Sequence, residues 1–183
     1  TLLEQITQLP GNADIEIKRL DLLNTNIQGP EWALSDFSLS LKDVNLIKGS
    51  WQSSAGTAVM SAFDVVYGDQ HWTNPVLNLA LEQDSVKIKQ FSSRWQDGLV
   101  RASGEWQRNT KVLTLDDVAL TSLLYTLPEG WLNELQQPQP EWLQQLRIAK
   151  FSTNRSIFID INPEFPFQFT SVDASGTDLV MIK

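Results

Sequence analysis

A short apolar phrase recurs along this chain, and it restricts the fold more than any other feature of the sequence. It reads Ile15-Glu16-Ile17-Lys18-Arg19-Leu20 and returns as Leu39-Ser40-Leu41-Lys42-Asp43-Val44. Further copies are Val86-Lys87-Ile88-Lys89-Gln90-Phe91, Leu113-Thr114-Leu115-Asp116-Asp117-Val118 and Leu146-Arg147-Ile148-Ala149-Lys150-Phe151. The first two apolar positions alternate, so they share one face of a β-strand. The third falls an odd number of residues later, where strict alternation sends it to the other face. Either a β-bulge returns it to the first face, or the strand buries both faces in succession. Repetition of such a unit predicts a meander of similar strands laid side by side.

The rest of the chain fits around that meander. Thr1 to Leu9 reads as a short amphipathic helix ended by Pro10-Gly11. Turns are expected at Gln28-Gly29-Pro30, Gly68-Asp69, Asn74-Pro75 and Arg108-Asn109, with a strong hairpin signal at Asp97-Gly98. After Leu127-Pro128 the rhythm changes. Trp131, Leu132 and Leu135 fit one face of a short helix, and Pro140 is placed to start another carrying Trp142, Leu143 and Leu146. Phe165, Phe167 and Phe169 alternate in the last third. The fold class expected is mainly β (β-rich α+β): a long curved antiparallel meander with a few short helices packed on it, one unit over residues 1–183.

Several kinds of chemistry are hard to build here. The net charge of −8 disfavours nucleic acid and anionic lipid headgroups as electrostatic partners. The absence of cysteine excludes disulfides, thiolate metal sites and thiol nucleophiles. His71 is the sole histidine, no Gly-x-Ser-x-Gly elbow accompanies it, and no phosphate-binding glycine motif occurs. Asp116 and Asp117 are neighbours and would point to opposite faces of a strand. Glu82, Asp84 and Glu105 are better read as ion-pair partners of Lys87, Lys89, Arg94, Arg101 or Arg108 than as a catalytic pair. No catalytic residue, metal ligand or cofactor is therefore expected. Trp51, Trp72, Trp95 and Trp106 fall near strand ends, where indoles either seal a sheet or offer a platform to sugars or lipid headgroups. No apolar run is long enough to span a bilayer. The chain begins without Met and stops within an alternating run, which reads as a segment of something longer whose anchor lies outside it.

The phrases Ile27-Gln28-Gly29-Pro30-Glu31-Trp32, Gln90-Phe91-Ser92-Ser93-Arg94-Trp95, Val100-Arg101-Ala102-Ser103-Gly104-Glu105-Trp106 and Tyr125-Thr126-Leu127-Pro128 carry a family resemblance, joined by Phe158 to Pro166. Over nearly its whole length the chain resembles the AsmA family. That resemblance implies a non-enzymatic body on the periplasmic side of a Gram-negative inner membrane, held by an N-terminal helix absent from this segment. It also implies a part in outer-membrane biogenesis, with β-sheet grooves that carry phospholipid. The expected lining of such a groove is Ile15, Ile17, Leu39, Leu41, Val86, Ile88, Leu113, Leu115, Ile157 and Ile159. Its occupants would be lipid acyl chains. The same residues could instead form an ordinary core under the short helices. The alternative function is a scaffold that binds another envelope protein through a sheet edge.

Overall fold

The computed structural model describes residues 14–47, 50–51, 56–134, 138–161, 164 and 166–182. The expected helix at Thr1 to Leu9 lies outside them. Strands β1 (Ile15–Gln28), β2 (Trp32–Ile47), β3 (Ser50–Trp51), β4 (Gly56–Ser61), β5 (Asp64–Tyr67) and β6 (Gln70–Leu81) form the first half. The second half holds β7 (Ser85–Trp95), β8 (Gly98–Gln107), β9 (Val112–Thr121), β10 (Leu124–Thr126), helix α1 (Trp131–Glu134), β11 (Gln145–Asp160) and β12 (Phe167–Ile182). All the strands belong to a single 12-stranded sheet. The chain is mainly β.

Several short strands are pieces of one longer track. β4 and β5 keep one register along β2 and along β6, so residues 56–67 form a single interrupted strand. β9 and β10 likewise run along the same edge of β11 in one register. The sheet thus proceeds β1, β2, β4/β5, β6, β7, β8, β9/β10, β11, β12. All these neighbours are antiparallel except β9/β10 with β11, which are parallel.

That parallel pair corrects the expectation of an uninterrupted antiparallel meander. A parallel neighbour needs the chain to return to its starting end, and residues 127–144 supply that crossover. α1 is the first expected helix. The second does not form: Leu143 N–H donates to the Pro140 carbonyl at 3.0 Å in a single turn, and β11 begins at Gln145. Pairing β11 along both edges satisfies more backbone than an isolated turn of helix could.

The bulge question resolves in favour of bulges. In β7, Ile88 pairs with Gly104 but Phe91 pairs with Ala102, leaving one extra residue in between. In β9, Leu115 pairs with Gly104 and Asp117 with Ser103, so Asp116 is the extra residue. β11 matches β9 in parallel, Ile148 beside Leu115 and Phe151 beside Val118, with the positions between them unpaired. In the first two copies, Ile17 faces Val44 and Leu20 faces Leu41, around an unpaired Lys18 and an Asp43 at φ 54°. Register shifts mark bulges within the phrase in β7 and β9, while β1 and β2 keep one register across it.

Continuous apolar rows result. One runs through Leu20, Leu41, Ala58 and Leu79, and continues as Ile88, Gly104, Leu115, Ile148 and Leu179. Beside it run Leu39, Met60, Leu77 and Phe91, then Ala102, Val118 and Phe151. The opposite face carries a polar row of Ser38, Ser61, Val76 and Ser92, then Arg101, Ala119, Ser152 and Ser175.

A second row of irregularities crosses nearer the other end of the strands. Asn24, Asp36, Asn74, Ser122 and Arg155 there have φ between 47° and 56°. Polar side chains take up the backbone groups released. Ser38 Oγ accepts from Asn24 N–H, Asn26 Oδ1 from Asp36 N–H, and Asp173 Oδ1 from Arg155 N–H. Ser156 Oγ accepts from Leu123 N–H at 3.3 Å and from Thr153 Oγ1 at 2.9 Å. Ser93 Oγ likewise donates to the Thr73 carbonyl at 3.3 Å, so Ser93, Thr153 and Ser156 are buried with their hydroxyls satisfied.

No second sheet among the described residues covers the apolar face. Among the described residues, each pair of strands in substantial contact is a hydrogen-bonded neighbour. The buried apolar side chains among the described residues are Val44, Ala58, Leu81, Val86, Val100, Leu123 and Leu143. The solvent-accessible surface is 12484 Å² for a chain of 20.7 kDa. A compact monomer of that mass exposes about 8,900 Å². Domains ordinarily bury a sheet's apolar face against another layer, and this one leaves most of it half-exposed.

Candidate functional site: an open apolar face

Every expected groove residue except Ile157 and Ile159 falls on the one apolar face. Val44, Leu81 and Val86 form its most buried cluster, with Ile17, Leu41, Leu79 and Trp106 packed on them. Ile15, Leu39, Ile88, Leu113 and Leu115 follow by register. Ile157 and Ile159 point the other way. Their neighbour Phe158 pairs with Tyr125, whose ring lies 5.0 Å from Trp95 on the apolar side. The bulge at Arg155 shifts the alternation by one, so Phe158 replaces the two isoleucines on that face.

Aromatic rings close one end of the face. Trp72 and Trp95 stack at 5.2 Å and 15°, and Phe91 meets Trp72 edge-on at 6.1 Å. Trp95 Nε1 donates to Gln70 Oε1 at 3.0 Å, which keeps the indole's polar atom satisfied while its ring packs. Phe167 and Phe169 continue the aromatic edge on β12, 5.2 Å apart. These rings were not in the expected lining. Their signal was the placement of tryptophan at strand ends.

The crossover lies on the same side of the sheet. At its start Trp131 Nε1 donates to Asp160 Oδ2 at 3.2 Å, and the indole joins Leu127, Phe158 and Phe169 around a cavity of about 360 Å³. At its end Trp106 Nε1 donates to the Trp142 carbonyl at 3.0 Å, beside the buried Leu143. Both described halves of the crossover therefore approach the apolar face. A further apolar cavity, of about 260 Å³, opens where the strand of residues 56–67 is interrupted.

The polar groups singled out from sequence lie elsewhere. His71 Nε2 is 2.8 Å from Asp64 Oδ1, which also accepts from Thr73 Oγ1 at 3.3 Å. Lys87 Nζ sits 3.1 Å from Glu82 Oε1, and Ser85 Oγ donates to Glu82 Oε2. Those bonds hold the Glu82 carboxyl below its ordinary range, Lys87 having the larger effect and Ser85 the smaller. Asp21 is also lowered, first by Ser40 Oγ at 2.7 Å and then by Arg19. Asp116 and Asp117 are exposed in the β9 bulge. Among the described residues no group of His, Cys, Asp or Glu is arranged to hold a metal ion, and no helix is long and apolar enough to cross a membrane.

Over 168 residues the sequence is 39% identical to the AsmA family protein YicH of Escherichia coli (strain K12). The match covers 92% of this chain and 30% of that relative, so the chain spans under a third of the length of the curated relative it matches. No family model matches, and no solved structure matches.

Proposed function

The chain is an AsmA-like protein, and we propose that its sheet is a non-enzymatic trough that holds lipid acyl chains during outer-membrane biogenesis. The observation that carries this reading is the open apolar face, with rows of half-exposed aliphatic side chains crossing from β1 to β12 without a second sheet among the described residues. Exposed apolar surface of this extent has a cost in water and marks a surface that something else covers. A hydrocarbon chain suits it because methylenes need no hydrogen-bond partner, and the face presents aliphatic rows with aromatic rings at one end. In this reading the domain sits on the periplasmic side of a Gram-negative inner membrane, and the anchor belongs to a part of the polypeptide outside these residues.

The direct test is titration of lipid-depleted protein with a fluorescent fatty acid. Saturable binding that is weakened by Leu115→Asp and retained by Arg101→Asp on the polar face supports the trough. Absence of binding to the unaltered protein overturns it.

One observation favours a second reading, a scaffold that recruits an envelope protein by strand addition. β12 pairs with β11 alone among the described residues, and Leu179, Val180, Met181 and Ile182 are all exposed along it. An edge of this kind templates another strand. Periplasmic crosslinking from β12 to a discrete protein, with no bound fatty acid, is the result that would select it.

A further inference from the structure

Resting on the reading of the apolar face as a hydrocarbon-binding trough, we propose that the cavity between Ala62 and Trp72 receives the methyl end of a single acyl chain. The cavity has a clear origin in the backbone. Between β4 and β5 the chain leaves the regular ladder at Ala62 and Phe63, and β6 leaves it opposite, at Asn74 (φ 51°) and Pro75. Hydrogen bonds bridge the interruption, Ala62 N–H to the Pro75 carbonyl at 3.2 Å and Phe63 N–H to the Ser35 carbonyl at 2.9 Å. The departure is therefore built in, and the side chains splay apart around it.

The lining selects the occupant. Met60, Leu77 and Phe91 belong to an apolar row of the sheet, so the cavity opens from the trough itself. Phe37, Val65 and Trp72 complete its walls, and no charged side chain lines it. Ser61 is at its rim, and the rest of the lining is Met60, Ala62, Pro75 and the side chains just named. A peptide segment would bring N–H and C=O groups that find almost no partners there, and a headgroup would bring charge without a counter-charge. A hydrocarbon end brings neither. The volume of about 260 Å³ is too small for a whole lipid. It takes only the end of one chain. The rest of that chain then lies along the row toward Ala102 and Val118. The Trp72 wall is braced by Phe91 and Trp95, which makes the pocket's depth a property of packed rings.

Fatty acids brominated near the methyl end or near the carboxyl test the orientation, because bromine quenches an adjacent indole. The Trp72 contribution, obtained as the difference from Trp72→Phe, is expected to be quenched more strongly by the end-brominated probe. Ala62→Phe, which fills the cavity, is expected to weaken palmitate binding by at least tenfold, the loss that displacing about two methylenes brings. Ala119→Phe on the polar face serves as the control and leaves binding unchanged. Equal quenching by the two probes, or palmitate binding indifferent to Ala62→Phe, overturns the terminal pocket while leaving the trough intact. Failure of any fatty acid to bind overturns both. Displacement of the probe by an apolar peptide at lower concentration than by palmitate assigns the cavity to a protein side chain and overturns the proposal.

Discussion

Trp72 and Trp95 sit directly across the β6–β7 ladder and stack with ring centroids 5.2 Å apart. Their pairing joins the β-hairpin of β5 and β6 to the hairpin of β7 and β8 on the apolar face. Trp95→Ala removes the stack, the contact to Tyr125 and the bond to Gln70. The expected loss is about 3 kcal/mol, at the lower end for a large aromatic because the ring is half-exposed. Urea unfolding measures it, and a midpoint shift equivalent to under about 0.5 kcal/mol would show the stack to be incidental.

The bulge row makes a prediction about chain length rather than side-chain identity. Lys89 is exposed beside the extra residue of β7, so Lys89→Ala is expected to change stability by no more than about 0.5 kcal/mol. Deleting Lys89 leaves one residue between Ile88 and Phe91, so plain alternation keeps Phe91 on the apolar face without a bulge. The deletion variant is expected to retain cooperative unfolding, read from near-ultraviolet circular dichroism. Loss of cooperativity in the deletion would mean that the bulge does more than set the face of Phe91.

Ser156 is fully buried and holds the interrupted β9/β10 track against β11. Ser156→Val leaves Leu123 N–H without its acceptor in a dry site. A loss of about 1–3 kcal/mol is expected, with faster hydrogen exchange at the Leu123 amide. Unchanged exchange there would indicate that another acceptor satisfies it.

Much of this architecture was legible in the chain, and what was hidden has physical reasons. The odd spacing in Val86-x-Ile88-x-x-Phe91 left a bulge and a crossing of faces both open, and the ladder shows the bulge. The parallel return to β11 was not legible, because the residues of a strand record which face is buried and say little of the neighbour's direction. Pro140 and the Trp142-Leu143-Leu146 spacing suggested helix, yet strand pairing on both edges took over from Gln145. Ile157 and Ile159 were assigned by alternation, and one residue in the left-handed region, Arg155, moved Phe158 into their place. A run such as Thr153-Asn154-Arg155-Ser156 gives only a faint polar hint of such a step. The cavity at Ala62 had half a signal: Asn74-Pro75 reads as a turn but is an irregularity inside β6, and nothing in Ala62-Phe63 marks the matching departure beside it.

The Glu82–Lys87 pair carries a pH signature. Glu82 is lowered by Lys87 and Ser85, and Lys87 is raised by its hydrogen bond to Glu82 and by the charges of Glu82 and Glu105. A lowered carboxylate stabilises the fold above its unfolded pKa, and that contribution disappears as pH falls through the folded value. A raised ammonium stabilises below its unfolded pKa, and that contribution disappears as pH rises through the folded value. The pair therefore supports the β6–β7 turn across neutral pH and weakens at both extremes. In Lys87→Met the Glu82 carboxyl is expected to titrate closer to its ordinary range, as followed by carboxyl carbon NMR. A titration unchanged from the parent protein would show that Lys87 has no part in it.

The account rests on hydrocarbon occupying the uncovered apolar face, and native mass spectrometry of gently purified protein addresses that most directly. The prediction is a non-covalent adduct of lipid mass on the unaltered protein and on Ser92→Asp, whose side chain lies on the polar face. Ile88→Asp, in the middle of the apolar row, is predicted to lose the adduct while retaining the sheet by far-ultraviolet circular dichroism. Protein that carries no adduct, or an adduct retained equally by Ile88→Asp, would contradict it.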